Sequence, residues 1–310
     1  MPEPGRTGTL RPTMQGHAAM LVFSSLVAGS FPLGAMVANA ISPSAFTALR
    51  FILAAALIGL AVAMGPGLPR AALRAPWRYM VLGGIFASYF ILMFEGLKTA
   101  NPVSAAAVFT LTPIMSAGFG WLLLRQMLTA RVAMALALGG VGALWVIFRG
   151  DLAAAARLEL GRGEAVYMLG CAAHAFYTPL VRRLNRGESP LVFTFGTLLG
   201  GSVVTTIYAW GDIRATEWLS LPSIVWVTLA YTTVFASAVT FVLLQFATLR
   251  LPSAKVMAYT YLVPGWVLVW QMGLGQPFPG LVVAPGLALT LGALALLLRD
   301  DTSVPIAAET

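Results

Sequence analysis

Ten times along the chain an apolar run of about membrane-crossing length ends at a short break of Pro, Gly or charge, and this rhythm restricts the fold more than any single motif. The runs are Ala18–Val37, Ser44–Met64, Tyr79–Thr99, Val103–Leu124, Val132–Phe148, Ala165–Val181, Leu191–Trp210, Ile224–Phe246, Val256–Met272 and Leu281–Leu298. Crossing a hydrocarbon layer about 30 Å thick takes roughly 20 mostly apolar helical residues, so the fifth, sixth and ninth runs lie near the lower limit. All are apolar around their whole circumference, without the period-2 alternation of a membrane β-barrel. The expected fold is therefore an all-α membrane protein. With 59% apolar and only 10% charged residues, a water-soluble domain is excluded.

The formal charge of +8 is not a nucleic-acid footprint, because the 19 Lys and Arg residues sit in ones to threes between apolar runs. Such a distribution reads as orientation, since cytoplasmic loops carry the excess of Lys and Arg. With the N-terminus inside, Arg6, Arg11, Arg70, Arg74, Arg78, Arg125, Arg131, Arg182, Arg183, Arg186, Arg250, Lys255 and Arg299 fall on the inner side. Lys98, Arg149, Arg157, Arg162 and Arg214 fall outside, matched by Asp151, Glu159, Glu164, Asp212 and Glu217. Both termini, residues 1–13 and 300–310, are expected to be short cytoplasmic tails. A rival reading takes Arg6, Arg11, the first apolar run and Ala38-Asn39-Ala40 as a cleaved signal peptide. The run exceeds the ~7 to 15 residues of an ordinary signal core. The lone Cys171 excludes an intramolecular disulfide framework and a cysteine-rich metal site.

Two halves, 14–150 and 163–299, can be laid over one another. Phe94 with Leu97-Lys98 matches Phe246 with Leu249-Arg250, Pro113 matches Pro264, and Pro32 matches Pro179. Gln126 precedes Gly142-Ala143-Leu144 by the same 16 residues that separate Gln276 from Gly292-Ala293-Leu294. Five spans per half is an odd number, so the second half enters the membrane from the opposite side. The expected architecture is ten transmembrane helices as two inverted five-helix repeats, a plan typical of secondary transporters.

Leu49-Arg50-Phe51, Phe94-Glu95-Gly96-Leu97-Lys98-Thr99-Ala100 leading into Ala105-Ala106-Ala107, and Thr112-Pro113 carry a resemblance to a known family. Pro252-Ser253-Ala254, Leu262-Val263-Pro264 and Leu274-Gly275-Gln276 repeat it in the second half. The chain resembles the drug/metabolite transporter superfamily, and within it the EamA-type ten-helix carriers. It departs where such carriers usually have Gly-Glu after the fourth and ninth spans, with Arg125-Gln126 and Gly275-Gln276, and where a Trp is common, with Ala28. Roles attached to those family residues do not transfer. The resemblance implies a secondary carrier of a small organic metabolite, an amino acid or related compound, exported across a bacterial inner membrane by alternating access.

Arg50, Glu95 and His174 are the ionisable residues well inside the runs, where an ion costs roughly 2.5 to 3.5 kcal/mol at the centre and so needs a partner or a cavity. Counting along their helices puts Arg50 ~10 Å and Glu95 ~7 Å deep, which predicts an ion pair. Either a structural pair or a substrate or proton role fits them. Tyr167, Cys171, His174 and Thr178 make one polar stripe. A neutral His174 can bind substrate or carry a proton, and a hydrogen-bonded packing role fits equally. Glu95 and His174 are the proton-coupling candidates. Tyr231, Gln245, Tyr259, Trp266 and Trp270 are read either as an aromatic pocket or as packing and interface residues. Tyr89, Phe109 and Tyr177 join them as cavity candidates. Pro32, Pro113, Pro179 and Pro264 are candidate hinges, because each removes a backbone donor from its helix.

An intramembrane enzyme is the rival class, but no H-E-x-x-H helix, G-x-S-x-G turn or paired intramembrane carboxylate occurs. A channel lacks a repeated filter sequence or charge ring. No catalytic residue, metal or cofactor is expected. The expected partners are a small-molecule substrate and the lipid bilayer, with a homodimer as an option and no nucleic acid.

Overall fold

A computed structural model describes residues 12–127, 129–156, 160–277 and 280–298. Arg6, Arg11, Arg157, Glu159, Arg299 and most of both tails lie outside the described residues. Within them the regular structure is helical, without strands. The ten membrane segments are α1 (Pro12–Val37), α2 (Pro43–Met64), α3 (Trp77–Leu97), α4 (Pro102–Leu124), α5 (Ala130–Ile147), α6 (Arg162–Leu184), α7 (Pro190–Tyr208), α8 (Ser223–Thr248), α9 (253–273) and α10 (Leu281–Leu298). All but α6 and α9 qualify as spans by length and composition alone. The sixth segment is not short: α6 runs 23 residues, because charged Arg162, Glu164, Arg182 and Arg183 extend it beyond its apolar centre.

The starts follow local chemistry. Pro43, Pro102 and Pro190 occupy the first turn, where a missing N–H costs nothing, and the Asn101 side chain accepts from the Val103 N–H at 2.9 Å. α4 ends at Arg125 in the left-handed region (φ 52°), and the equivalent residue after α9 is Gly275 (φ 75°). In both, the following Gln N–H caps the helix, Gln126 to the Gly120 carbonyl and Gln276 to that of Gln271.

Helix breaks lie just ahead of three of the four candidate hinges. α1 is interrupted at Gly29 before Pro32, α4 at Thr110–Leu111 before Pro113, and α9 has a 3-10 turn at Tyr259–Leu262 before Pro264. α6 instead continues through Pro179. A fourth irregularity carries no sequence signal: Val234–Val239 in α8 is a π-helical turn.

Contacts between the halves obey an inverted two-fold. α2 packs on α7, α4 on α9 and α5 on α10, each with its own repeat mate, while α3 on α6 is mirrored by α8 on α1. The α5–α10 crossing is close enough that a Cβ on Gly142 would lie 2.7 Å from the Gly286 carbonyl, and one on Gly286 2.7 Å from that of Gly142. Polarity is arranged for a bilayer: Leu57, Leu60, Val141, Ile207 and Leu291 are exposed, whereas Arg50, His174, Thr197 and Thr232 are buried.

Candidate functional site

The centre of the bundle is an aromatic chamber built by α1, α3, α6 and α8, two helices from each half and related in pairs by the repeat. Its remaining space is about 10 Å³, roughly one water, lined by Phe23, Val27, Ser30, Phe86, Tyr89, Phe90, His174, Ala236 and Thr240. Phe86 is the keystone. It stacks on Tyr177 at 4.3 Å and His174 at 5.0 Å and meets Phe241 at 4.4 Å. Tyr89 lies 4.6 Å from His174, Phe109 lies 5.2 Å from it, and the Tyr167 hydroxyl reaches that of Tyr89 at 3.2 Å. Gln245 donates to the Tyr177 hydroxyl at 2.7 Å. The stripe Tyr167, Cys171, His174 and Thr178, placed on one face by its spacing, is buried throughout.

Arg50 adjoins this chamber and is fully buried. Its Nε donates to the Ser237 hydroxyl at 2.6 Å, one terminal nitrogen donates to the Ala236 carbonyl at 2.6 Å, and the guanidinium lies 3.8 Å from the Phe90 ring centre. The π turn of α8 is what makes Ala236 available: widening the helix there frees a backbone carbonyl that a regular α-turn would occupy. The predicted Arg50–Glu95 pair does not form. Glu95 lies near the end of α3, its side chain is 42% exposed, and it pairs with Lys98 at 2.7 Å. Counting depth along each helix missed that Arg50 faces α8, and placed Glu95 deeper than its helix end allows.

The candidates thus separate. Arg50, Tyr89, Phe109, His174, Tyr177 and Gln245 converge, whereas Tyr231, Tyr259 and Trp266 do not join them. Tyr231 donates to the Leu26 carbonyl at 2.8 Å and packs on Trp270 over Gly29, where a Cβ would lie 2.7 Å from the Tyr231 ring. The Tyr259 hydroxyl meets His17 Nδ1 at 3.0 Å, and Trp266 packs at the margin of the core. Sequence reasoning missed Phe86, Phe90, Phe241, Ser30 and Ser237. Phenylalanines in apolar runs carry no distinguishing mark, and Ser237 matters only because of the π turn.

Each end of the bundle is tied by polar groups where the segment after one helix of the α2/α7 pair meets the start of the other. At one end Arg78 donates to Glu188 at 2.7 Å, with the Tyr79 hydroxyl at 3.3 Å. Partial burial raises the Glu188 pKa, but hydrogen bonds from Arg78 and the Arg186 backbone outweigh it and hold the carboxyl below its ordinary value. At the opposite end Asp212 accepts from Ser44, and from Ser42 at 2.9 Å; these hydroxyls lower its pKa. The two ties both join the α2/α7 pair to its flanking segments, one at each end.

Relatives agree with this architecture. The model of the EamA-like transporter family matches residues 14–148 and 161–299, one match per half. The chain is 26% identical over 281 residues to "Uncharacterized transporter YyaM" of Bacillus subtilis (strain 168), covering 90% of this chain and 92% of that one. A solved structure described as "Crystal structure of protein" shares the fold at 22% identity, with a TM-score of 0.66 over 92% of this chain and 96% of its own. A helical, multi-pass bundle of two repeats, matched by one family model in each half, belongs to the EamA-like transporter family of the drug/metabolite transporter superfamily.

Proposed function

We propose that the protein is a secondary carrier that exports a small organic metabolite across the cell membrane by alternating access, with both termini cytoplasmic. The observation that carries this reading is a small chamber at the junction of the repeats, with one polar tie at each end. A site shared by inverted halves opens to one side when the tie there releases and the other holds. The tie between Arg78 and Glu188 is the cytoplasmic one by the distribution of basic residues.

Of the two proton-coupling candidates, the geometry favours His174. It lines the chamber and its Nδ1 has no hydrogen-bond partner, whereas Glu95 sits at a helix end beside Lys98. The test is uptake and counterflow of a labelled metabolite panel in proteoliposomes, with and without a pH gradient. A carrier shows counterflow; a channel does not, and an enzyme moves nothing. His174→Gln should abolish gradient-driven accumulation while sparing exchange, and Glu95→Gln should leave both intact. Unchanged accumulation in His174→Gln removes the histidine from the coupling step.

A further inference from the structure

Arg50 is an isolated charge in the middle of the protein. A cation taken out of water costs several kcal/mol unless paired and hydrogen-bonded, yet among the described residues no carboxylate lies within ion-pair distance of it. Two of its nitrogens are satisfied, by Ser237 and Ala236, while the third, Nη1, has no partner. Two further buried polar atoms at the same place also lack one: the Ser30 hydroxyl and His174 Nδ1, on residues 1% exposed that both line the chamber. Arg50 stands directly behind that lining, since Phe90 under its guanidinium and Ala236 at its terminal nitrogen are both wall residues. Buried polar groups are almost always satisfied, so two unpartnered atoms on the chamber wall, with a third on the guanidinium directly behind it, mark a place suited to a polar ligand.

We propose that the transported compound is a monocarboxylate with an apolar body, its carboxylate taken by Arg50 with Ser30 as accessory donor and its body packed on Phe86, Phe90 and Phe23. This rests on the carrier reading above and names its substrate class. The sign follows from the uncompensated guanidinium, and the single charge from the lining itself, which adds no second permanent cation for a phosphate dianion. Binding would therefore neutralise the buried charge of Arg50, which no carboxylate among the described residues pairs, favouring closure of the loaded site over the empty one.

Matched pairs test this: phenylacetate with phenylacetamide, isovalerate with isovaleramide, and L-phenylalanine with L-phenylalaninamide, plus phenyl phosphate. Each is read by the melting temperature of the solubilised protein and by counterflow in proteoliposomes. At least one carboxylate should stabilise and exchange while its amide does neither, and Arg50→Met should weaken that carboxylate about 30-fold or more. Arg50→Lys keeps the charge and should retain the carboxylate preference at lower affinity, which separates recognition from a purely structural role. Amides matching their carboxylates, phenyl phosphate exceeding them, or no response to any carboxylate overturns the inference. Counterflow of an amide or of phenyl phosphate would do so while leaving the carrier reading standing; absence of counterflow for the whole labelled metabolite panel overturns that reading too.

Discussion

Replacing Glu188 by Gln removes the charge from the cytoplasmic tie while nearly preserving its shape. Arg78 is 1% and Glu188 6% exposed, so the substitution strands a buried guanidinium, a loss worth about 3–5 kcal/mol in a fully buried pair. Arg78 keeps hydrogen bonds to the carbonyls of Leu184, Arg74 and Ala75, at 2.5, 3.1 and 3.3 Å. Glu188 also lies in the connection between α6 and α7, outside the helices and near water, which raises the effective dielectric. These two facts reduce the expected loss to about 2 kcal/mol, equivalent to a shift of about 30-fold between closed and open forms at that end. The reporter is Thr240→Cys, at a buried position on the chamber wall, in a Cys171→Ser background. Glu188→Gln should raise its reaction rate with an impermeant maleimide from the cytoplasmic side by up to ~30-fold and leave the opposite side unchanged. Arg78→Met together with Glu188→Gln should melt closer to wild type than Glu188→Gln alone. The pH dependence has a definite sign. A carboxyl held below its ordinary value of 4.5 contributes stability above that pH and loses it as pH falls through the folded-state pKa, so Glu188→Gln should flatten the acid limb of the stability profile. Additive losses in the double variant, or an unchanged labelling rate, would refute the reasoning.

At the opposite tie, Asp212→Asn should raise labelling of the same cysteine from the external side by a smaller factor, worth under about 1 kcal/mol because the carboxylate is exposed; an increase from the cytoplasmic side would contradict the assignment of the ends. Arg125→Gly should stabilise the protein by about 0.5–1 kcal/mol, since Arg125 holds a left-handed conformation that its repeat equivalent fills with Gly275, and a lower melting temperature would mean that its side chain matters more than its backbone.

Sequence determined the parts of this protein that depend on local composition. The ten apolar runs, the starts at Pro43, Pro102 and Pro190, and the repeat were all legible, whereas of the four prolines read as hinges three follow a helix break and Pro179 does not. Each reflects chain length against bilayer thickness, or the missing N–H of proline, and needs no distant neighbour. The buried stripe on α6 was equally legible, because helical periodicity alone puts Tyr167, Cys171, His174 and Thr178 on one face. Which helices meet that face was not. The tertiary structure decided that Arg50 turns to a carbonyl freed by the π turn of α8 instead of to Glu95, that plain phenylalanines from α3 and α4 pack on His174, and that Tyr231 and Tyr259 serve other contacts. In a membrane every helix is apolar on most of its surface, so hydrophobic pattern does not say which side faces lipid and which faces protein. Only close packing between the inverted halves, and the need to satisfy each buried polar group, settles that choice.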